Sequence, residues 1–126
     1  MSKTIINTEN APSPIGPYSQ AVKAGGLLFL SGQVALIPGT STLNTSNVTE
    51  ETAQVMQNLK AVLQEAGLDF SNVVKTTIFL KEMSSFAEVN SEYGKYFDKD
   101  FPARETVAVK TLPKDVNVEI SMIAAV

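Results

Sequence analysis

Between Val55 and Ala66 the apolar residues recur at three- and four-residue spacing: Val55, Met56, Leu59, Val62, Leu63 and Ala66. This is the period of one helix face, and it fixes an amphipathic helix in the middle of the chain. Asn47 or Thr49 opens it, with Glu50 and Glu51 in the first turn where the helix dipole favours anions. Gly67 followed by Leu68 reads as a Schellman stop. A second helix is expected from Ser85, where Ser85-Phe86-Ala87-Glu88 has the form of a capping box, S-x-x-E. Phe86, Val89, Tyr93 and Phe97 line its apolar face, and Asn90 lies on that same face.

The remaining segments read as strands. Lys3–Asn7 is a short one. Asn10–Tyr18 holds Pro12, Pro14, Gly16 and Pro17 and must be irregular and stiff. Gly25-Gly26 turns Ser19–Ala24 into Leu27–Gln33, whose apolar density suggests burial on both faces. Ile37–Asn47 is a polar loop. Asn72–Lys81 is rich in Val, Thr, Ile and Phe, and Arg104–Lys110 and Val116–Ala124 follow, joined through Thr111–Asp115. The order is β-β-β-α-β-α-β-β, in one domain spanning residues 1–126, with no internal repeat.

Composition removes whole classes of chemistry. The 126 residues include no histidine and no cysteine, so triads built on either and zinc sites of the usual type are excluded. Acid–base work falls to Asp, Glu, Lys, Tyr, backbone or water. Asp98-Lys99-Asp100 is the nearest thing to a metal loop, but a lysine interrupts it and no ligand follows at calcium-loop spacing, so no metal is expected. A net charge of −3 argues against nucleic acid as partner. No apolar run reaches the roughly 18 residues of a membrane span, so no membrane partner is expected. The opening residues lack a signal-peptide core; with zero cysteines this makes the cytoplasm the expected location, and the glycosylation patterns at Asn44 and Asn47 chance matches.

Against that background Arg104 stands out as the single arginine, in Phe101-Pro102-Ala103-Arg104-Glu105-Thr106-Val107. A guanidinium is a planar, permanently charged fork that grips a carboxylate through two parallel hydrogen bonds; lysine cannot copy this. The bland alternative is a surface ion pair with Glu105 or Asp100. Alternation puts Arg104, Thr106, Ala108 and Lys110 on one strand face, and places Glu119 with Asn117 and Ser121 opposite Val118, Ile120 and Met122. Glu119 is either an ordinary carboxylate on a wet sheet face or an acid–base group with a perturbed pKa. Asn90 is either a satisfied polar group or a pocket donor, and Tyr18 either packing or a pocket hydroxyl. Ser31-Gly32-Gln33 marks a bulge or a place where backbone approaches a ligand. A simple hairpin centred between Pro113 and Lys114 would pair Ala108 with Glu119. Arg104 would then lie roughly 13 Å along the strand, too far for both to hold one small ligand. A neighbouring subunit is therefore expected to complete the site.

Five segments taken together resemble the Rid family, the reactive intermediate or imine deaminases formerly called YjgF proteins: Ile15–Ala21, Leu30–Gln33, Val74–Leu80, Phe101–Arg104 and Leu112–Ile120. The resemblance runs in order along nearly the whole chain. It implies an α+β, chorismate-mutase-like fold, a mixed β-sheet with two helices packed on one face, and a homotrimer with clefts between subunits. It implies hydrolysis of 2-imino acids, formed from 2-aminoacrylate-type enamines, to 2-keto acids and ammonia. This is 2-iminobutanoate/2-iminopropanoate deaminase activity, a form of metabolite damage control. By the same resemblance Arg104 binds the substrate carboxylate, Glu119 is linked to the attacking water, and Tyr18, Ser31, Gly32, Asn90 and Thr106 line the pocket. Many members carry a cysteine where this chain has Thr106. No cofactor is required, because an imine carbon is electrophilic enough for an oriented water. The competing expectations are a non-catalytic binding or regulatory protein for small carboxylates and a holdase-type chaperone. Ribonuclease activity, which the family also brings in, fits poorly with an acidic chain lacking histidine.

Overall fold

The computed structural model describes residues 2–126. Six strands form one sheet: β1 (Thr4–Ile6), β2 (Ala21–Ala24), β3 (Leu27–Gln33), β4 (Val73–Leu80), β5 (Ala103–Ala108) and β6 (Val118–Ala125), in the spatial order β1-β2-β3-β6-β4-β5. Two helices, α1 (Val48–Glu65) and α2 (Phe86–Gly94), complete the fold. All neighbouring strands are antiparallel except β4 and β5, which are parallel. Parallel neighbours need a crossover, and α2 supplies it.

Both helices cover one sheet face. Val55, Met56, Leu59, Val62 and Leu63 of α1 and Val89 and Tyr93 of α2 share a core with Leu28, Leu30, Ile78, Leu80, Val118, Ile120, Met122 and Ala124. α1 starts as expected: the Asn47 side chain accepts the Glu50 amide at 2.8 Å. It ends at the expected Schellman motif, with Leu68 N–H bonded to Leu63 C=O at 2.9 Å and Gly67 at φ +75°, a left-handed position open to glycine. Glu51 departs from expectation. It occupies the helical position before Val55 on the buried stripe and is fully buried. Its carboxylate accepts the Asn117 backbone N–H and side-chain amide, both at 2.8 Å.

Three readings of the sequence are corrected. Ser85 sits at the N-cap of α2, but no capping box forms: Met83–Ser85 already makes a 3₁₀ turn that runs into α2, Ser85 is helical (φ −85°, ψ −4°), and its side chain makes no cap bond. β3 is not buried on both faces; Leu28 and Leu30 are, whereas Phe29 points to the uncovered side and is 43% exposed. The expected hairpin does not exist. β6, buried at every second residue, takes the sheet centre between β3 and β4, and β5, exposed along most of its length, takes the edge. The strand with the stronger apolar alternation wins the interior position.

Two buried amides hold the irregular segments. Gln20 accepts the Thr8 N–H at 2.7 Å and donates to the carbonyls of Thr8, Ala11 and Pro12 at 3.0, 3.3 and 2.8 Å. The proline-rich segment is thereby locked against β2. Asn58 donates to the Val34 and Leu36 carbonyls at 3.0 and 2.9 Å, fixing the chain after β3. Among the described residues no helix is long and apolar enough to cross a membrane. Replacing Gln20 by Ala strands a buried N–H and three carbonyls; we expect a loss of at least about 2 kcal/mol in denaturant unfolding, with protease sensitivity rising first in residues 8–18.

Candidate functional site

The residues singled out from the sequence fall around two separate clefts. One, of about 470 Å³, is lined by Tyr18, Ser31, Gly32 and Glu119, together with Ile15, Gln33 and Lys114. The other, of about 560 Å³, is lined by Arg104 and Asn90 with Tyr93, Gly94, Phe101 and Pro102. Thr106 lines neither. Its hydroxyl is buried without a hydrogen-bond partner among the described residues. Asp98 and Asp100 line a third hollow with Asp69, Phe70, Tyr96 and Phe97. Among the described residues no group of acidic side chains is arranged to hold a metal ion.

Arg104 is built to stay free. β5 places it opposite Thr76 of β4, on the helix side of the sheet edge. One Nη donates to Asn90 Oδ1 at 2.8 Å. The guanidinium carbon lies 5.1 Å from the Tyr93 ring centre and 5.9 Å from that of Phe86, a cation–π seat that holds the group without neutralising it. Tyr93 is fixed in turn by its hydroxyl bond to Thr76 at 3.0 Å, and burial raises its pKa. The ion-pair reading of Arg104 fails. Glu105 alternates to the other face, where it meets Lys75 at 3.2 Å and accepts from Thr77 at 2.6 Å. Among the described residues no carboxylate lies within ion-pair range of Arg104. Four of the five guanidinium donors remain for a ligand. Asn90, expected on an apolar helix face, is exposed, and its partner is this guanidinium.

Glu119 sits on the uncovered sheet face, opposite Phe79 of β4. It is half-buried, and burial pushes its carboxyl above the ordinary glutamate value with no cation to offset it. The close packing explains Gly32. A Cβ there would lie 2.5 Å from Glu119 Oε2 and 2.9 Å from its Cδ, so a side chain would displace the carboxylate. Gly32 also lies in the register shift between Leu30 and Gln33, so bulge and close approach coincide. The Ser31 hydroxyl, on the cleft wall, donates to the Ser19 carbonyl at 2.6 Å and can still accept a hydrogen bond.

The two clefts cannot serve one small ligand within one chain. Arg104 is aligned with Thr76 and Glu119 with Phe79, three residues apart on β4 and therefore on opposite faces of the sheet. A hairpin would have separated the groups along one face; in the structure the sheet itself lies between them. Ile15, Gln20 and Lys114 were missed as site residues. Ile15 and Lys114 lie inside quoted motifs but have no spacing signature, and a glutamine gives no sign of a buried clamp.

Residues 8–126 match the family model described as Endoribonuclease L-PSP. The chain belongs to this family. The YjgF/RutC or Rid name is carried by its relatives. A Rid protein family structure from Yersinia pestis superposes with a TM-score of 0.96 at 46% identity, covering 99% of this chain and all of that one. Reactive Intermediate Deaminase A, chloroplastic, of Arabidopsis thaliana is 45% identical over 124 residues, 98% of this chain and 66% of the relative. The E. coli TdcF structure with bound serine has a TM-score of 0.93 at 37% identity, with 98% of each chain covered. In this Rid protein the expected mixed sheet with two helices on one face is present.

Because its folded-state pKa is raised, Glu119 binds a proton more readily in the fold than in the unfolded chain. Its presence therefore costs nothing below the unfolded value and destabilises increasingly as pH rises through that value toward the folded pKa. Glu119→Gln is expected to raise the unfolding free energy at pH 7 relative to pH 4, and ¹³C NMR of the wild type should show the Glu119 carboxyl titrating above 4.5.

Proposed function

We propose that the protein hydrolyses reactive 2-imino acids, such as 2-iminopropanoate and 2-iminobutanoate, to 2-keto acids and ammonia. The observation that carries this reading is Arg104, an aromatic-seated guanidinium with no carboxylate in its own chain among the described residues. It is suited to a bidentate hold on a substrate carboxylate. Asn90 occupies one donor and sets the plane of the fork.

The active unit is an oligomer, a trimer by the habit of the family, in which Arg104 of one copy meets Glu119 of its neighbour. Two observations support this. The helix-free sheet face presents Phe29 and Val107, each more than 40% exposed, beside half-buried Phe79 and Ile123. Such an apolar surface suits burial against another copy. Arg104 and Glu119 lie on opposite faces, so only a second copy brings them to one ligand.

With the carboxylate held, the imine carbon is presented to a water beside Glu119. The imine enters with its nitrogen protonated; the desolvated carboxylate takes a proton from the water as the water oxygen bonds to carbon and the C=N electron pair moves onto nitrogen, giving a neutral carbinolamine. Glu119 passes that proton to the amine, the C–N bond breaks, and the carbinolamine hydroxyl gives its proton to the Glu119 carboxylate as the C=O forms; the released ammonia carries this proton away as ammonium, leaving the keto acid and an ionised Glu119. Neither histidine nor thiol enters. Thr106 in place of the frequent family cysteine leaves this path intact. The serine bound to TdcF is an amino acid with the carboxylate this site is read to hold, which supports the ligand class. A role in clearing enamine-derived imines goes with the same chemistry, in the cytoplasm that the sequence leads one to expect.

The deciding experiment generates 2-iminopropanoate beside the protein and follows ammonia release. Arg104→Lys should lower the rate acceleration on the order of 100-fold, because a point charge does not fix the angle of attack. An unchanged rate removes Arg104 from the mechanism. Arg104-dependent keto-acid binding with no acceleration in the wild type establishes a carboxylate-binding protein instead.

A further inference from the structure

The turn before β6 is held in a conformation its sequence does not favour. Lys114 (φ +56°) and Asp115 (φ +55°) are consecutive non-glycine residues in the left-handed region. Side chains there crowd their own backbone, and such strain persists only where surrounding contacts impose it. Here they do. Leu112 and Val116 are buried on either side. The Lys81 ammonium pairs with Asp115 at 3.2 Å, the Lys81 amide donates to the Asn117 carbonyl at 3.0 Å, and buried Glu51 grips Asn117 twice. The turn is anchored on both sides of Lys114, and Lys114 itself is exposed on the wall of the Glu119 cleft.

Lys114 has no carboxylate within 4 Å among the described residues, including Glu119. It is the one cationic side chain lining that cleft, as Arg104 is of the other. The same cleft has apolar lining from Ile15, Val34, Leu36 and Pro113. A cleft of about 470 Å³ is much larger than pyruvate needs. It brings together a carboxylate, apolar wall and an ammonium with no carboxylate within 4 Å among the described residues, carried on a strained turn.

We propose that Lys114 forms a second anion subsite, so that the preferred ligands are 2-imino and 2-keto acids whose side chain ends in a carboxylate. The inference rests on the carboxylate-holding role of Arg104 proposed above. Arg104 of a neighbouring copy takes the first carboxylate, the apolar wall takes the methylenes, and Lys114 takes the distal carboxylate. A monocarboxylate leaves the ammonium solvated and gains nothing from it.

The test is calorimetric titration of the full-length protein with 2-oxoglutarate and 2-oxobutanoate. The wild type is expected to bind 2-oxoglutarate more tightly. Lys114→Met should cut the affinity ratio of the two acids on the order of tenfold, and Lys114→Arg should keep it. Lys114→Gly, which removes strain and charge together, should raise the melting temperature while losing the preference. A wild type that favours 2-oxobutanoate, or a ratio unmoved by Lys114→Met, overturns the subsite. Arg104→Lys separates the two proposals: if it weakens both acids while the ratio ignores Lys114, only the subsite falls. If neither acid depends on Arg104, the carboxylate reading falls with it.

Discussion

β6 occupies the centre of the sheet, and its strict alternation fixes what lies on each side. Val118, Ile120, Met122 and Ala124 turn into the helix-covered core; Glu119, Ser121 and Ile123 turn away from it. A one-residue slip would bury Glu119 under α1 and expose the apolar set, so the register is held by the hydrophobic energy of the whole strand. Glu51 pins its start through Asn117, and Gly32 opens just enough space on β3 for the Glu119 carboxylate. The position and raised pKa of Glu119 are therefore consequences of core packing rather than of a dedicated loop.

The same alternation, carried across β4 to β5, turns Arg104 to the other face. The fold thus presents two separate clefts. One has a fixed cation on an aromatic seat; the other has a desolvated carboxylate in a partly apolar cleft. Each carries an uncompensated group, as expected where stability is traded for function. Hydrolysis of an activated C=N bond asks little more than orientation and one proton carrier, which is why a chain without histidine or cysteine suffices in the proposed reaction.

Much of this was legible in the residues because it depends on period. The α1 stripe, its Asn47 start and its Gly67 stop are local signals, and the structure agrees with them. The two faces of β6 follow from spacing alone. What was not legible depends on competition between segments. Nothing local tells β5 to pair in parallel with β4 while β6 inserts between β3 and β4; the choice follows from which strand buries more apolar surface. Ser85 matched a capping box, but the preceding 3₁₀ turn had already taken its backbone. Glu51 and Gln20 look like surface residues and act as buried clamps, since a side-chain amide or carboxylate is worth burying once several backbone groups need it. Arg104 was found by its rarity; its seat on Tyr93 and Phe86 required the crossover that brings α2 beside β5.

The most direct measurement mixes two inactive variants. Arg104→Ala and Glu119→Gln proteins, combined in equal amounts and reassembled, give each site formed between copies a one-half chance of an intact Arg104 and a one-half chance of an intact Glu119. Imine hydrolysis should return to about a quarter of the wild-type rate if the site is shared between chains. Mixed oligomers confirmed by native mass spectrometry that stay inactive would contradict the shared site.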